Sequence, residues 1–197
     1  MPSAALGGSG VLAACLALWL TTAALASPPP SVTAFGLARA ANRHVGEQCR
    51  DRIVEIYSEK SADGLVPDVW HIVFYDPEAT FRSRVVKFTV GKEPTVRRPM
   101  RLFEALVGDH LPLDHSQLRI DSDQALKIAA REPGLAGAEL KATQFLLIRA
   151  DEQPVWKIRL WVEVGKAGSE PVAIGEVQVS ALDGRVVKSS LQPPRAE

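Results

Sequence analysis

Two segments of the chain share the pattern Val-Trp-x-Ile-x-apolar, and this likeness constrains the fold more than any other feature. The segments cover residues 69–74 and 155–160. In each one the tryptophan alternates with apolar residues two positions further on, which is the period of a β-strand with one buried face. A helical pattern precedes each segment and an alternating pattern follows it. The sequence therefore predicts one small module that is used twice.

The first module is predicted over residues 28–95. Ser31 or Thr33 is suited to cap a helix that starts at Ala34, where small and apolar residues recur at helical spacing. Three alternating segments follow, at residues 52–57, 69–75 and 81–90. Turn residues separate these segments, so we expect three strands after one helix.

The second module is predicted over residues 119–190. Asp121 and Gln124 have the spacing of a capping box at the start of a helix. Trp156 lies in the clearest strand pattern of the chain, an alternation that continues without a break over residues 155–164. The predicted fold class is thus α+β, with two tandem modules that each pack a helix on a small antiparallel sheet.

Two further segments complete the predicted organisation. Residues 96–118 are expected to form a connecting helix and loop, because four apolar residues there recur at helical spacing. They are Leu102, Phe103, Leu106 and Val107. Residues 191–197 are rich in proline and poor in apolar residues, so they predict a disordered tail.

The start of the chain is typical of a secretory signal peptide over residues 1–27. These residues include no Asp, Glu, Lys or Arg, and a short apolar run ends near Ala24 and Ala26. The run is too short to span a bilayer, and the two alanines suit a cleavage site. A lipoprotein-like cleavage box at Cys15 fits less well, because the strongest apolar stretch would follow that cysteine. We expect a periplasmic or secreted protein with no stable membrane insertion after cleavage.

Charge and cysteine content limit the function classes. All 23 basic and 23 acidic residues follow the leader, so the remaining chain has no net charge. Nucleic acid is therefore not expected as a partner, since no overall positive field would attract it. Cys49 is the only cysteine after the leader, which excludes an intramolecular disulfide. Stability must then come from the hydrophobic core.

Three motifs of the second module, taken in order, resemble the PepSY domain. Residues 120–129 have an acidic cap before an alanine-rich stripe. Residues 153–158 contain the tryptophan, and residues 179–186 contain an Asp-Gly turn. The resemblance covers about residues 120–188, while the first module shares only its helix stripe and the Trp70 segment. It implies a helix on a small antiparallel sheet in an exported protein, with restraint of a peptidase as the family's proposed role. It supplies no catalytic residue.

One strand carries the residues that best suit partner binding. Lys157, Arg159, Trp161 and Glu163 alternate with the buried positions of the strand over residues 155–164, so they share the face that points away from the core. Aromatic and arginine side chains are frequent in binding hot spots. We therefore predict that these four residues bind a protein or peptide partner in the cell envelope.

The alternative is a small exported metal-dependent enzyme. Oxygen and imidazole groups that could hold a metal lie close together in one loop, at Asp109, His110, Asp114 and His115. Ordinary polar residues between a helix and a strand would give the same pattern, and no further His or Cys cluster completes a site. No nucleophile elbow, HExxH helix, phosphate loop or dinucleotide fingerprint is present in the sequence. We therefore predict neither a cofactor nor a catalytic residue.

A third hypothesis is an envelope assembly component that pairs through its strand edges.

Overall fold

The computed structural model describes residues 32–98, 111–163 and 169–192. In these residues it has two short α-helices and eight strands. In chain order they are α1 (Ala34–Ala41), β1 (Ile53–Ser58), β2 (Val69–Tyr75), β3 (Ser83–Thr89), β4 (Thr95–Arg97), α2 (Ser122–Ala129), β5 (Leu140–Ala150), β6 (Gln153–Val162), β7 (Val172–Ser180) and β8 (Val186–Ser189). No helix in this part of the chain is long and apolar enough to cross a membrane.

Some predicted segments lie outside the described residues. The signal peptide over residues 1–27 is one of them. The apolar stripe of the predicted connecting helix, at Leu102, Phe103, Leu106 and Val107, is another. Both therefore stay predictions.

All eight strands join one antiparallel sheet, in the order β4-β3-β2-β1-β5-β6-β7-β8. The predicted fold class is therefore wrong, because the protein is β-rich and its strands do not divide into two helix-on-sheet modules. The two sets of strands join where β1 pairs with β5, with Ile56 opposite Leu147 and Tyr57 opposite Leu146. Without this pairing, β1 and β5 would each be a sheet edge with unpaired backbone N–H and C=O groups.

Serine side chains strengthen the junction between β1 and β5. Ser58 Oγ accepts a hydrogen bond from Phe145 N at 2.9 Å. Ser61 Oγ accepts one from Thr143 N at 2.9 Å, and Ser61 N donates to Thr143 O at 2.9 Å. All four residues are buried. The two hydroxyl groups satisfy backbone N–H groups of β5 that would otherwise be buried without partners.

Both helices lie on one face of the sheet, which we call the helix face. The predicted capping box of α2 is confirmed, since Asp121 N donates to Gln124 Oε1 at 3.2 Å. The start of α2 also supports the start of α1. Ala34 N donates to Ser122 Oγ and Phe35 N donates to Asp121 Oδ1, each at 3.0 Å. One capping segment thus satisfies the free N–H groups of two helices.

A single aromatic cluster forms the centre of the core on the helix face. Trp70 and Trp156 are fully buried there, which confirms their predicted core positions. The Phe145 ring centroid lies 5.4 Å from that of Trp70 and 6.1 Å from that of Trp156. Phe35 of α1 stacks on Trp156 at 6.0 Å. The likeness of the two Val-Trp-x-Ile segments therefore reflects two buried strands of one sheet, and the predicted tandem repeat is wrong.

A β-bulge in β1 determines which residues reach the other side of the sheet. We call this side, which points away from α1 and α2, the second face. The pairing of β1 with β2 shifts between Ile53 and Glu55, so Ile53 and Ile56 both lie in the helix-face core. Glu55, which lies opposite Val73, and Tyr57 consequently belong to the second face.

Candidate functional site

A groove of about 290 Å³ crosses four strands on the second face. Side chains of β1, β5, β6 and β7 line it: Glu55, Tyr57, Gln144, Leu146, Lys157, Arg159 and Glu176. One row of the groove follows the pairing of the strands, because Tyr57 lies opposite Leu146, and Leu146 lies opposite Lys157. Cross-strand neighbours on one face have Cβ atoms about 4.5 to 5.5 Å apart, so these three side chains form a continuous surface.

The next row of the groove contains a pair of opposite charges. Arg159 lies opposite Glu176 on one side and opposite Gln144 on the other. Gln178 Nε2 donates to Glu176 Oε1 at 2.9 Å, and Gln144 Nε2 donates to Ser58 O at 3.3 Å. Among the described residues, no hydrogen bond or ion pair uses the exposed Arg159 guanidinium or the Gln144 side-chain oxygen. Both groups are therefore accessible to a ligand.

Glu55 is the acid of the groove whose surroundings are least polar. It lies opposite Val73, which in turn lies opposite Val85, and both valines are buried. In the described parts of the chain, no hydrogen bond or ion pair reaches its carboxyl group. Burial disfavours the charged form and raises the pKa of Glu55 to about 7. A half-buried acid that titrates near neutral pH in a groove is a candidate functional group.

Tyr57 is held in place by a buried histidine of the neighbouring strand. The rings of Tyr57 and His71 stack with centroids 4.5 Å apart and planes 7° apart. His71 Nε2 lies 3.3 Å from Glu59 Oε1, which also accepts a hydrogen bond from Lys87 Nζ at 3.1 Å. Burial lowers the pKa of His71, so its ring is neutral at pH 7. A neutral, stacked ring gives Tyr57 a rigid position at the groove floor.

The four residues that were predicted to bind a partner occupy different surroundings. The two that line the groove are Lys157 and Arg159. Trp161 is half-buried, and Lys60 Nζ lies 5.1 Å from its ring centroid. Glu163 follows the end of β6, where its carboxylate lies 3.2 Å from Lys141 Nζ. The structure thus brings two of the four residues together in a cavity, and a partner-binding role for all four stays a prediction.

The described part of the predicted metal loop makes local structural contacts. Asp114 Oδ1 accepts hydrogen bonds from Ser116 N at 2.9 Å and from Ser116 Oγ at 2.7 Å. His115 Nε2 lies 3.2 Å from Asp51 O. The other two loop residues, Asp109 and His110, lie outside the described residues. Within residues 32–98, 111–163 and 169–192, no group of three or more His, Cys, Asp or Glu side chains is placed to hold a metal ion.

Sequence patterns missed five of the groove residues. They are Glu55, Tyr57, Gln144, Leu146 and Glu176. These residues come from three strands, and nothing in the sequence shows that β1 lies beside β5 and so two strands from β6. One signal was available, because Glu55 interrupts an otherwise apolar stretch between Ile53 and Ile56.

Comparisons with family models, with curated proteins and with solved structures find no match to this chain. The resemblance to the PepSY domain therefore stays an interpretation of three short motifs.

Proposed function

We propose that the protein is an exported, non-catalytic binding protein, and that its second face recognises a protein or peptide partner in the cell envelope. The observation that carries this proposal is the groove. Lys157, Arg159 and Glu55 place charged groups in it that no described residue pairs. Tyr57 and Leu146 supply an apolar floor beside these charges. Such a mixture of aromatic, aliphatic and charged groups is suited to recognition.

The groove favours binding over covalent catalysis. A nucleophilic mechanism needs a hydroxyl or thiol within hydrogen-bond reach of a base. Ser58 borders the groove, but its hydroxyl accepts a hydrogen bond from Phe145 N and is buried in the β1–β5 junction. Glu55 has no such nucleophile as a hydrogen-bond partner among the described residues. A binding role accounts for the groove without a reaction.

Export is supported by the leader, which combines an uncharged, apolar start with a small-residue cleavage site at Ala24 and Ala26. The partner would accordingly be met in the periplasm or outside the cell. A peptidase is the partner that the PepSY resemblance would imply, so restraint of a peptidase is the finer form of this proposal.

A capture experiment tests the proposal. The C-terminally tagged chain is used as bait in envelope extract, beside a variant that combines Lys157→Met with Arg159→Met. The matched control is Lys188→Met, because Lys188 is an exposed cation on β8 that does not line the groove. We expect the unaltered chain and the control to capture the same partner and the double variant to lose it, while all three keep the same thermal unfolding midpoint. Equal capture by the double variant would refute the proposal.

A further inference from the structure

We propose that the groove binds an extended peptide segment that carries one basic and one acidic group, spaced about three or four residues apart. The basic group would lie at Glu55 and the acidic group at Lys157. This inference rests on the proposed function and specifies the chemistry of the partner.

The spacing follows from the sheet. Tyr57, Leu146 and Lys157 form one row, so Lys157 lies two strands away from β1, a distance of about 10 Å. Glu55 lies two residues before Tyr57 on β1, a further displacement of about 7 Å along the strand. The two charged positions are therefore about 12 Å apart at the backbone. An extended chain covers about 3.4 Å per residue, so it spans this distance in three or four residues.

The floor between the two charges suits a polypeptide. Tyr57 and Leu146 offer an aromatic and an aliphatic surface on which a side chain can pack. Beside this floor, on the side away from Glu55, Gln144 lies opposite Arg159. It donates through Nε2 to Ser58 O, and this leaves its side-chain oxygen for a main-chain N–H of the ligand. Apolar contact, a main-chain acceptor and two opposite charges are thus available within one groove.

The charges also argue against a ligand that is purely acidic. Arg159 lies opposite Glu176, so part of its positive field is offset and Lys157 is the less compensated cation. A ligand with one acidic group at Lys157 and a second acidic group at Glu55 would be repelled by the Glu55 carboxylate. A cation at Glu55 gains more than it would at an exposed acid, since it pairs with a half-buried carboxylate that has no partner in the described structure.

Synthetic peptides test the charge pattern directly. Acetylated and amidated hexapeptides are prepared with Lys and Glu spaced by three or four positions, in both orders. Companion peptides replace the Lys by Gln, the Glu by Gln, or the Lys by Glu. Dissociation constants are measured for the unaltered chain, for Glu55→Gln and for Lys157→Met. Matched controls are Glu93→Gln, in the exposed loop between β3 and β4, and Lys188→Met.

We expect the Lys/Glu peptide to bind about fivefold more tightly than either Gln companion, because each new ion pair contributes up to about 1 kcal/mol. Glu55→Gln should remove the preference for Lys over Gln, and Lys157→Met should remove the preference for Glu over Gln. Glu93→Gln and Lys188→Met should change neither preference.

Tightest binding of the peptide with two Glu residues would overturn the inference. The inference would also be overturned if Glu55→Gln lost the same affinity for the Lys/Glu peptide as for the companion with Gln in place of Lys. Failure of every peptide to bind would overturn it as well. If capture from extract still depended on Lys157 and Arg159 in that case, the proposed binding function would stand and only the charge pattern would be wrong.

Discussion

The two faces of the sheet are made of alternate residues of the same strands, yet they differ in what lies against them. On β6, Trp156 and Ile158 are fully buried under the helix face. Their neighbours Lys157 and Arg159 lie on the second face, where both line a groove. Lys157 is half-buried and Arg159 is exposed. The first pair contributes packing and the second pair contributes accessible charge. The difference shows that a single strand can supply both the core and the candidate site.

The second face is not simply a solvated surface. Val73 and Val85 are buried on it, and Glu55 lies in the same row. A half-buried acid beside buried valines reduces stability when it is charged. On the helix face, by contrast, Asp121 N donates to Gln124 Oε1, and the Phe145 ring packs against Trp70 and Trp156. We interpret the unfavourable placement of Glu55 as a feature of recognition.

The largest difference between the faces should appear in unfolding experiments on the tryptophans. Trp70→Ala and Trp156→Ala should each lower the free energy of unfolding by about 3 to 5 kcal/mol, because each leaves a cavity in the aromatic core. Trp161→Ala, on the second face, should lower it by about 1 kcal/mol or less. Denaturant unfolding measures all three. If Trp161→Ala were the most damaging, the faces of β6 would be assigned one residue out of register.

A smaller effect is expected for Glu55, and it depends on pH. The pKa of Glu55 rises from 4.5 to about 7 on folding, so the folded state binds its proton more tightly. The stability contributed by this protonation is complete below about pH 4.5 and is lost as the pH rises to about 7. Glu55→Gln should therefore raise the free energy of unfolding by about 1 to 3 kcal/mol at pH 8 and change it little at pH 4.

Glu93→Gln serves as the control for this pH dependence, since Glu93 is exposed. Its difference from the unaltered chain should stay within about 0.5 kcal/mol across the pH range. A Glu55→Gln variant that is less stable at pH 8 would show that Glu55 has a favourable partner in the folded protein, which would contradict the assignment of an unpaired acid.

Local features of the fold could be predicted from the sequence, while long-range ones could not. The capping box of Asp121 and Gln124 and the buried alternation around Trp156 depend on residues that are close in the chain, so spacing reveals them. The pairing of β1 with β5 joins Ile56 to Leu147, and no spacing rule connects segments so far apart. The bulge in β1 also has no clear sequence signal. Because the groove depends on both, only Lys157 and Arg159 of its lining were identified beforehand.

If the second face recognises the partner while the helix face is core, a bound peptide should change amide chemical shifts on the second face. The Lys/Glu peptide is titrated into isotope-labelled protein at neutral pH, and the shift of every assigned backbone amide is followed. We predict that the largest changes occur at Glu55, Tyr57, Leu146 and Lys157, with little change in α1 and α2. If the largest changes occurred in α1 and α2, or around Asp114 and His115, the second face would not be the surface that recognises the peptide.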